Sequence, residues 1–153
     1  MKNLKLIKSK ISKIRIGKNC RIIEPVNLYG CVIGNHVFVG PFVEIQKNVK
    51  IGDNTKIQSH SFICEKVTIG KKCFISHGVI FVNDLIKFGK IETNPKFFKK
   101  TKVGNSVIIG SNSTILPVAI SNNIVIGAGS VVTKNLKIKG IYAGNPAKLI
   151  RRL

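Results

Sequence analysis

From Ile33 an aliphatic or aromatic residue returns every six positions: Ile33, Val39, Ile45, Ile51, Ile57, Ile63, Ile69, Ile75 and Phe81. The residue four further on is small or β-branched each time, at Val37, Val43, Val49, Thr55, Ser61, Val67, Cys73 and Val79. An amphipathic helix needs apolar residues three and four apart, so a strict six excludes it. Short strands that turn a corner every six residues satisfy the pattern. Three of them close an 18-residue coil in which the lead residues stack inside and the small residues fit where the cross-section narrows. Successive coils then pair as parallel strands about 4.8 Å apart. Gly follows the lead residue at 34, 40, 52 and 70, and is expected to supply the unusual backbone of the corners.

The period resumes at Val103, Ile109 and Ile115, slips by one residue at Pro117 to give Ile120, and continues through Ile126 and Val132. Upstream, Ile16, Ile22 and Leu28 keep it, with one short step before Ile33. Between Val82 and Val103 it fails. The fold class predicted is all-β, a parallel β-helix forming a single domain over 1–153. Its coils span about 14–82 and 103–135, a loop is thrown out over 83–102, and a C-terminal cap covers 136–153. Long loops on a rigid scaffold carry function, so this interruption marks where chemistry is expected. Open coil ends need covering. Met1 to Lys13 and the tail after Asn135 are the expected caps, with a helical turn or two in the closing KLIRRL.

Net charge is +20, and after Glu92 ten Lys or Arg follow without one acidic residue. Such asymmetry suits an anionic partner or a solvating coat of lysines. A phosphorylated small molecule fits better than nucleic acid, because zinc-finger and RNA-recognition signatures are missing and Trp is absent. No apolar run approaches the roughly 20 residues of a membrane helix. The basic start MKNLKLIKSKISKIRIG lacks the unbroken apolar core of a secretory signal, so a cytoplasmic location without membrane attachment is expected. Cysteines at 20, 31, 64 and 73 form no C-x-x-C pair and are read as buried thiols in a reducing compartment.

Beyond the hexads, the chain carries ILP at Ile115 to Pro117, IGAGSVVTK at Ile126 to Lys134 and YAGNPAK at Tyr142 to Lys148. With these in order it resembles the hexapeptide-repeat acyltransferases over nearly its full length. The resemblance implies a left-handed helix, a homotrimer and acetyl-CoA as co-substrate, with no metal. The stretch FISHGVIFVND, Phe74 to Asp84, followed by the loop, is similar to the nucleotide-sugar N-acetyltransferases. Those enzymes acetylate the amine of a dTDP- or UDP-linked amino sugar for surface polysaccharide or glycoprotein glycans. The 4-amino branch usually carries a nucleotide-binding domain ahead of the β-helix, so its absence from this sequence favours the 3-amino branch. Sugar and antibiotic acetyltransferases of the superfamily place a catalytic His in the loop, whereas this loop has none.

Glu65 and Asn83 each stand two positions after a lead residue and 18 apart, so they are expected to stack on adjacent coils where the loop departs. The resemblance assigns them to holding the sugar amine, as catalytic and substrate-binding residues. Asp84 either contacts substrate or holds the loop start. His77 is the alternative base, 17 residues after His60, a candidate substrate contact, while His36 falls on another face. The close His pair that an intersubunit zinc site requires is missing. For the co-substrate, the resemblance points to main-chain contacts at Gly110 and Ala128 and to phosphate contacts from Lys134 and Lys148. O-acetylation of a sugar or serine is the competing enzymatic reading. A non-catalytic scaffold or nucleic-acid-binding protein is the competing class, but it has no need of the IGAGSVVTK and GNPAK segments.

Overall fold

The computed structural model describes residues 10–86 and 89–153, so most of the expected N-terminal cap lies outside the described residues. The chain winds as a left-handed parallel β-helix whose short strands form three flat faces. Among the described residues the first face stacks seven strands, including Asn27–Tyr29, Glu44–Ile45, Phe62–Ile63, Ile80–Phe81 and Thr114–Ile115, the second six, including Lys50–Ile51, Val67–Ile69 and Thr101–Val103. The third face has eight among them, including Lys56–Ile57, Phe74–Ile75, Ile108–Ile109 and Val125–Ile126.

Lead residues stack on lead residues, as in Ile45 on Leu28 and Ile63 on Ile45 along the first face. Ile45, Ile57, Ile63, Ile75, Phe81, Ile109 and Ile115 are fully buried. Each such side chain contributes about 1.5–3 kcal/mol by leaving water. Where the small position holds a polar atom, that atom donates to a corner carbonyl one coil on. Thr55 Oγ1 meets Gly70 O at 2.8 Å, Ser61 Oγ meets Ser76 O at 3.0 Å, and Cys73 Sγ meets Gly104 O at 3.1 Å. The narrow positions are therefore filled without an unpaired hydroxyl. All four cysteines are free; Cys31, Cys64 and Cys73 are buried as expected, but Cys20, on a lower coil, is only half-buried. Burial pushes the Cys31 thiol up to about 11 and the Cys64 thiol up to about 12, so both stay protonated and inert at neutral pH.

Four expectations need correction. The glycines after the lead residues do not make the corners. The left-handed backbone falls two residues later, at His36, Phe42, Asn48, Asn54, His60, Lys66 and Lys72, with φ between 56° and 67°. Asn and His tolerate that region better than most side chains, and the inter-coil hydrogen bonds hold Phe and Lys there. The glycines answer a different need. A Cβ at Gly52 would stand 2.6 Å from the carbonyl carbon of Gly70 in the next coil, so only Gly lets those coils close to hydrogen-bonding distance.

Coils are not uniformly 18 residues either. Partners on the first face step by 17 from Leu28 to Ile45, by 18 to Ile63, and by 17 from Ile115 to Val132. The loop rejoins the sheet at Thr101, two residues before the expected boundary, because Thr101 already pairs with Val67. The tail is not helical: Lys148–Arg152 runs antiparallel to Gly140–Ala143 and closes the top coil as a hairpin. Pairing satisfies the open edge of the last parallel strand, which a helical turn would have left unbonded.

Two substitutions at neighbouring hexad positions are expected to act with opposite sign. Gly52→Ala lowers unfolding stability by about 1–3 kcal/mol through overpacking between coils. Lys72→Gly, at an exposed left-handed corner, raises it by about 0.5–1 kcal/mol. Urea denaturation midpoints at constant slope check both.

Candidate active site

Lys47, Glu65 and Asn83 follow one another at 18-residue steps up the corner between the first and second faces. The Glu65 backbone N–H donates to Gln46 Oε1 at 3.2 Å, and Asn83 Nδ2 reaches Glu65 O at 3.5 Å, the limit of hydrogen-bonding range. Glu65 is only 8% exposed. Its Oε1 lies 3.3 Å from Lys47 Nζ, while its buried Oε2 has no hydrogen-bond partner among the described residues. A buried carboxylate oxygen left unpaired is costly, and a ligand cation or N–H donor at this point would remove the cost.

The residues below belong to the same polar column. Gln46 Nε2 donates to Glu44 Oε1 at 2.9 Å and Asn27 Nδ2 to Glu44 Oε2 at 3.1 Å, so Glu44 is fully engaged. Burial, reinforced by Glu44 and Glu65, pushes the Tyr29 phenol above its ordinary value and keeps it a proton donor. Over this column opens a groove of about 570 Å3 lined by Gln46, Phe62, Glu65, Ile80, Asn83 and Phe98. Apolar walls with the Glu65 carboxyl among them suit a sugar-sized ligand with a cationic group.

The extruded segment is tied down at its neck. Lys99 N–H donates to Asn83 O at 2.9 Å, which draws the two ends together. Asp84 is a loop brace: its Oδ1 accepts from Ile86 N and its Oδ2 from Glu92 N, both at 2.9 Å. Those bonds hold the loop start and leave each oxygen a further lone pair for a substrate donor. Lys66 Nζ donates to Lys96 O and Phe98 O, each at 3.1 Å, from the coil below. Lys47 and Lys66 are two further functional positions that the sequence pattern does not single out. The 18-residue step that pairs Glu65 with Asn83 also reaches Lys47 below it, and the same step from Asp84 reaches Lys66.

The histidines do not join this constellation within one chain. His60 and His77 stand on the corner between the third and first faces, across the full width of the first face from Asn83. His60 is exposed and stacks on Phe42 with ring centres 4.9 Å apart. His77 Nδ1 lies 2.8 Å from Ser59 Oγ. His36 sits on the remaining corner, as expected. Above His77 the corner continues through Ser111 and Ala128, as Asn112 N bonds to His77 O and Gly129 N to Ser111 O. Gly110 packs directly against Ala128, so a Cβ there would meet the Ala128 amide. The result is a smooth, small-residue edge. At its top Lys148 pairs with Ala143, which packs on Gly127. Lys134 stands on the Asn83 corner instead, so the structure does not bring Lys134 and Lys148 together on one edge.

Two family models match the chain: bacterial transferase hexapeptide (six repeats) over residues 30–65, and hexapeptide repeat of succinyl-transferase over residues 100–134. The bifunctional protein GlmU of Streptococcus uberis is 30% identical over 149 residues, which is 95% of this chain and 32% of that protein. GlmU of Trichodesmium erythraeum is 30% identical over 99% of this chain and 30% of its own length. The chain thus spans about a third of these curated relatives. Among solved structures, a mutant of AntD, an N-acyltransferase from Bacillus cereus in complex with dTDP and coenzyme A, superposes with a TM-score of 0.81 at 25% identity. The match covers 91% of this chain and 84% of AntD. A hexapeptide-repeat acetyltransferase from Vibrio cholerae complexed with acetyl coenzyme A gives 0.67 at 26% identity, over 81% of this chain and 71% of that one.

Removing the loop ties is expected to loosen the loop without unfolding the helix. In a Lys66→Ala, Asp84→Asn double variant, tryptic cleavage within 85–100 accelerates roughly tenfold. The thermal midpoint barely moves, because neither side chain belongs to the inter-coil ladder.

Proposed function

Since the chain belongs to the hexapeptide-repeat transferases, we propose that it moves an acetyl group from acetyl-CoA to the 3-amine of a dTDP- or UDP-linked amino-deoxy sugar, for surface glycan biosynthesis. The observation that carries this reading is the buried Glu65 carboxyl in the lining of an apolar groove, one of its oxygens without a hydrogen-bond partner among the described residues, in a chain of net charge +20. A sugar ammonium makes a charge-assisted hydrogen bond to that carboxylate with charge on both partners, a stronger bond than the one a neutral hydroxyl would make. The likeness to AntD, crystallised with dTDP and coenzyme A, supports the choice of both substrates.

In this mechanism Glu65 and Asn83 hold and orient the amine, and a neutral fraction attacks the thioester carbonyl. A C–N bond forms, the C–S bond breaks, and the amine proton leaves with the departing thiolate as CoA thiol. Holding both reactants in line supplies roughly 7–11 kcal/mol of the barrier, so a strong base is unnecessary. Corner N–H groups stabilise the oxyanion. The small-residue edge of His77, Gly110 and Ala128 suits the pantetheine arm, with Lys148 toward the phosphates; this edge and the Glu65 groove lie on different corners. Donor and amine therefore meet between neighbouring copies, with His77 of one copy orienting groups beside Asn83 of the next. Exposed Phe74, Ile80 and Ile108 on the two faces flanking the histidine corner favour such packing. The assembly proposed is a homotrimer in the cytoplasm.

Free-thiol release from acetyl-CoA is expected with nucleotide-linked 3-amino sugars and not with 4-amino or hydroxy sugars or serine; no turnover with any amine sinks the proposal. Glu65→Gln is expected to lower kcat/KM for the amine substrate roughly 10- to 100-fold. An Asn83→Ala variant with an unchanged rate would remove only that residue's role. Light scattering is expected to give three times the chain mass, and a monomer that retains full activity would exclude the shared site.

A further inference from the structure

The C-terminal end of the β-helix carries a surface that the proposed reaction does not use. Leu136 bridges to Ile120 on the second face, and Lys137, Ile138 and Lys139 then turn the corner that His36 occupies lower down. Gly140–Ala143 crosses the third face away from that corner, and Lys148–Arg152 returns along it, so Arg152 pairs with Gly140 beside the corner. Leu149 lies over Gly140, its Cδ1 2.6 Å from where a Cβ would stand, and the Tyr142 hydroxyl donates to Ile138 O at 2.8 Å. Both contacts hold aliphatic side chains against the same hairpin. Ile150, the extra residue where the hairpin register shifts, is 66% exposed, and Ile138 is 46% exposed. Lys137, Lys139, Arg151 and Arg152 share this end of the molecule, all exposed and in no ion pair among the described residues. Lys148, placed toward the co-substrate above, stands at the far end of the strand beside Ala143.

We propose that this end of the β-helix docks on an anionic lipid surface, with Ile138, Leu149 and Ile150 entering the headgroup region and the neighbouring cations on the lipid phosphates. Charge chooses the partner. No Asp or Glu follows Glu92, so nothing later in the sequence offsets these lysines and arginines, and an anionic leaflet attracts each of them. A second copy of the chain would bring the same cations face to face, which is costly. Nucleic acid would meet the charge, but its bases stack on aromatic rings, and the exposed apolar side chains here are aliphatic while Tyr142 is buried. Aliphatic groups rimmed by lysine and arginine are the composition that lies in a bilayer interface. So few apolar side chains do not anchor the chain by themselves, and attraction to the leaflet supplies the remainder, which makes the contact reversible and sensitive to salt. Docking of this kind needs no spanning segment, so the shortness of the apolar runs gave no sign of it.

The test is flotation of the full chain with vesicles of equal parts phosphatidylcholine and phosphatidylglycerol, against vesicles of phosphatidylcholine alone. Binding is expected to the mixed vesicles, not to the neutral ones, and is released at high salt. A Lys137→Gln, Lys139→Gln, Arg152→Gln variant partitions roughly 100-fold more weakly. Ile150→Ser, with every charge in place, weakens partition roughly tenfold. A Lys50→Gln, Lys56→Gln, Lys102→Gln variant loses the same charge from exposed positions on the second and third faces and keeps its binding. Equal loss in the two triple variants overturns the proposal, because net charge alone would then account for the binding. Indifference to both kinds of vesicle overturns it too, and retention of random-sequence DNA by a chain that ignores vesicles gives the surface to nucleic acid instead. Flotation is read without turnover, so its outcome is separate from that of the acetylation assay.

Discussion

Backbone N–H groups of one coil donate to the carbonyls of the next along all three faces, most of them between 2.8 and 3.1 Å. That ladder sets the spacing between coils, and the spacing decides what each hexad position accepts. The lead position must fill a column, because identical side chains are stacked a strand separation apart. The position after it lies where one coil turns over the next, and at Gly34, Gly52 and Gly70 a Cβ would collide with the coil above. The corner residue two further on bears the left-handed backbone whatever its side chain, as Phe42 and Lys72 do. Local strain at the corners is outweighed by bonds made on either side of them.

The same ladder explains how a loop can be inserted without disturbing the fold. Phe81 pairs with Ile115 as though the residues between were a normal coil, and Ile69 pairs likewise with Val103. Only the neck has to close, and the Lys99 to Asn83 bond closes it. Asp84, at the loop's root, and Lys66, on the coil below, hold it over the groove, so the polar groups that define the candidate site are rigid where they meet the scaffold.

Much of this was legible in the sequence for a simple reason: a strict six with a small partner has no other stable solution, and it names the core residue by residue. The stack of Asn83 on Glu65 followed from the 18-residue step alone. What was not legible depended on geometry that periodicity does not encode. A glycine after each lead residue suggests corners made by its backbone freedom, whereas the requirement in the fold is the absence of a Cβ between coils. Coils of 17 residues carry no sequence mark beyond a one-residue slip. The KLIRRL tail reads as helix or strand in isolation, and only the open edge of Gly140–Ala143 decides. His77 looked close to Asn83 in number but belongs to another corner, since six residues of chain are one face of the prism.

That last relation carries a consequence for how such a chain can vary. With three faces to a coil, gaining or losing six residues turns everything above the change by a third of a revolution. A gain of 17 or 18 lifts it by one rung, about 4.8 Å, with its heading unchanged. Insertions that are neither a whole number of faces nor the single residue that separates 17- from 18-residue coils must leave the axis, as the residues between Asn83 and Lys99 do. The groove and the small-residue edge are thus held at a fixed bearing as well as a fixed height. Length changes in the coils that keep the bearing of the site are constrained to about one whole turn, whereas the loop can lengthen by arbitrary increments without re-aiming the surface around it.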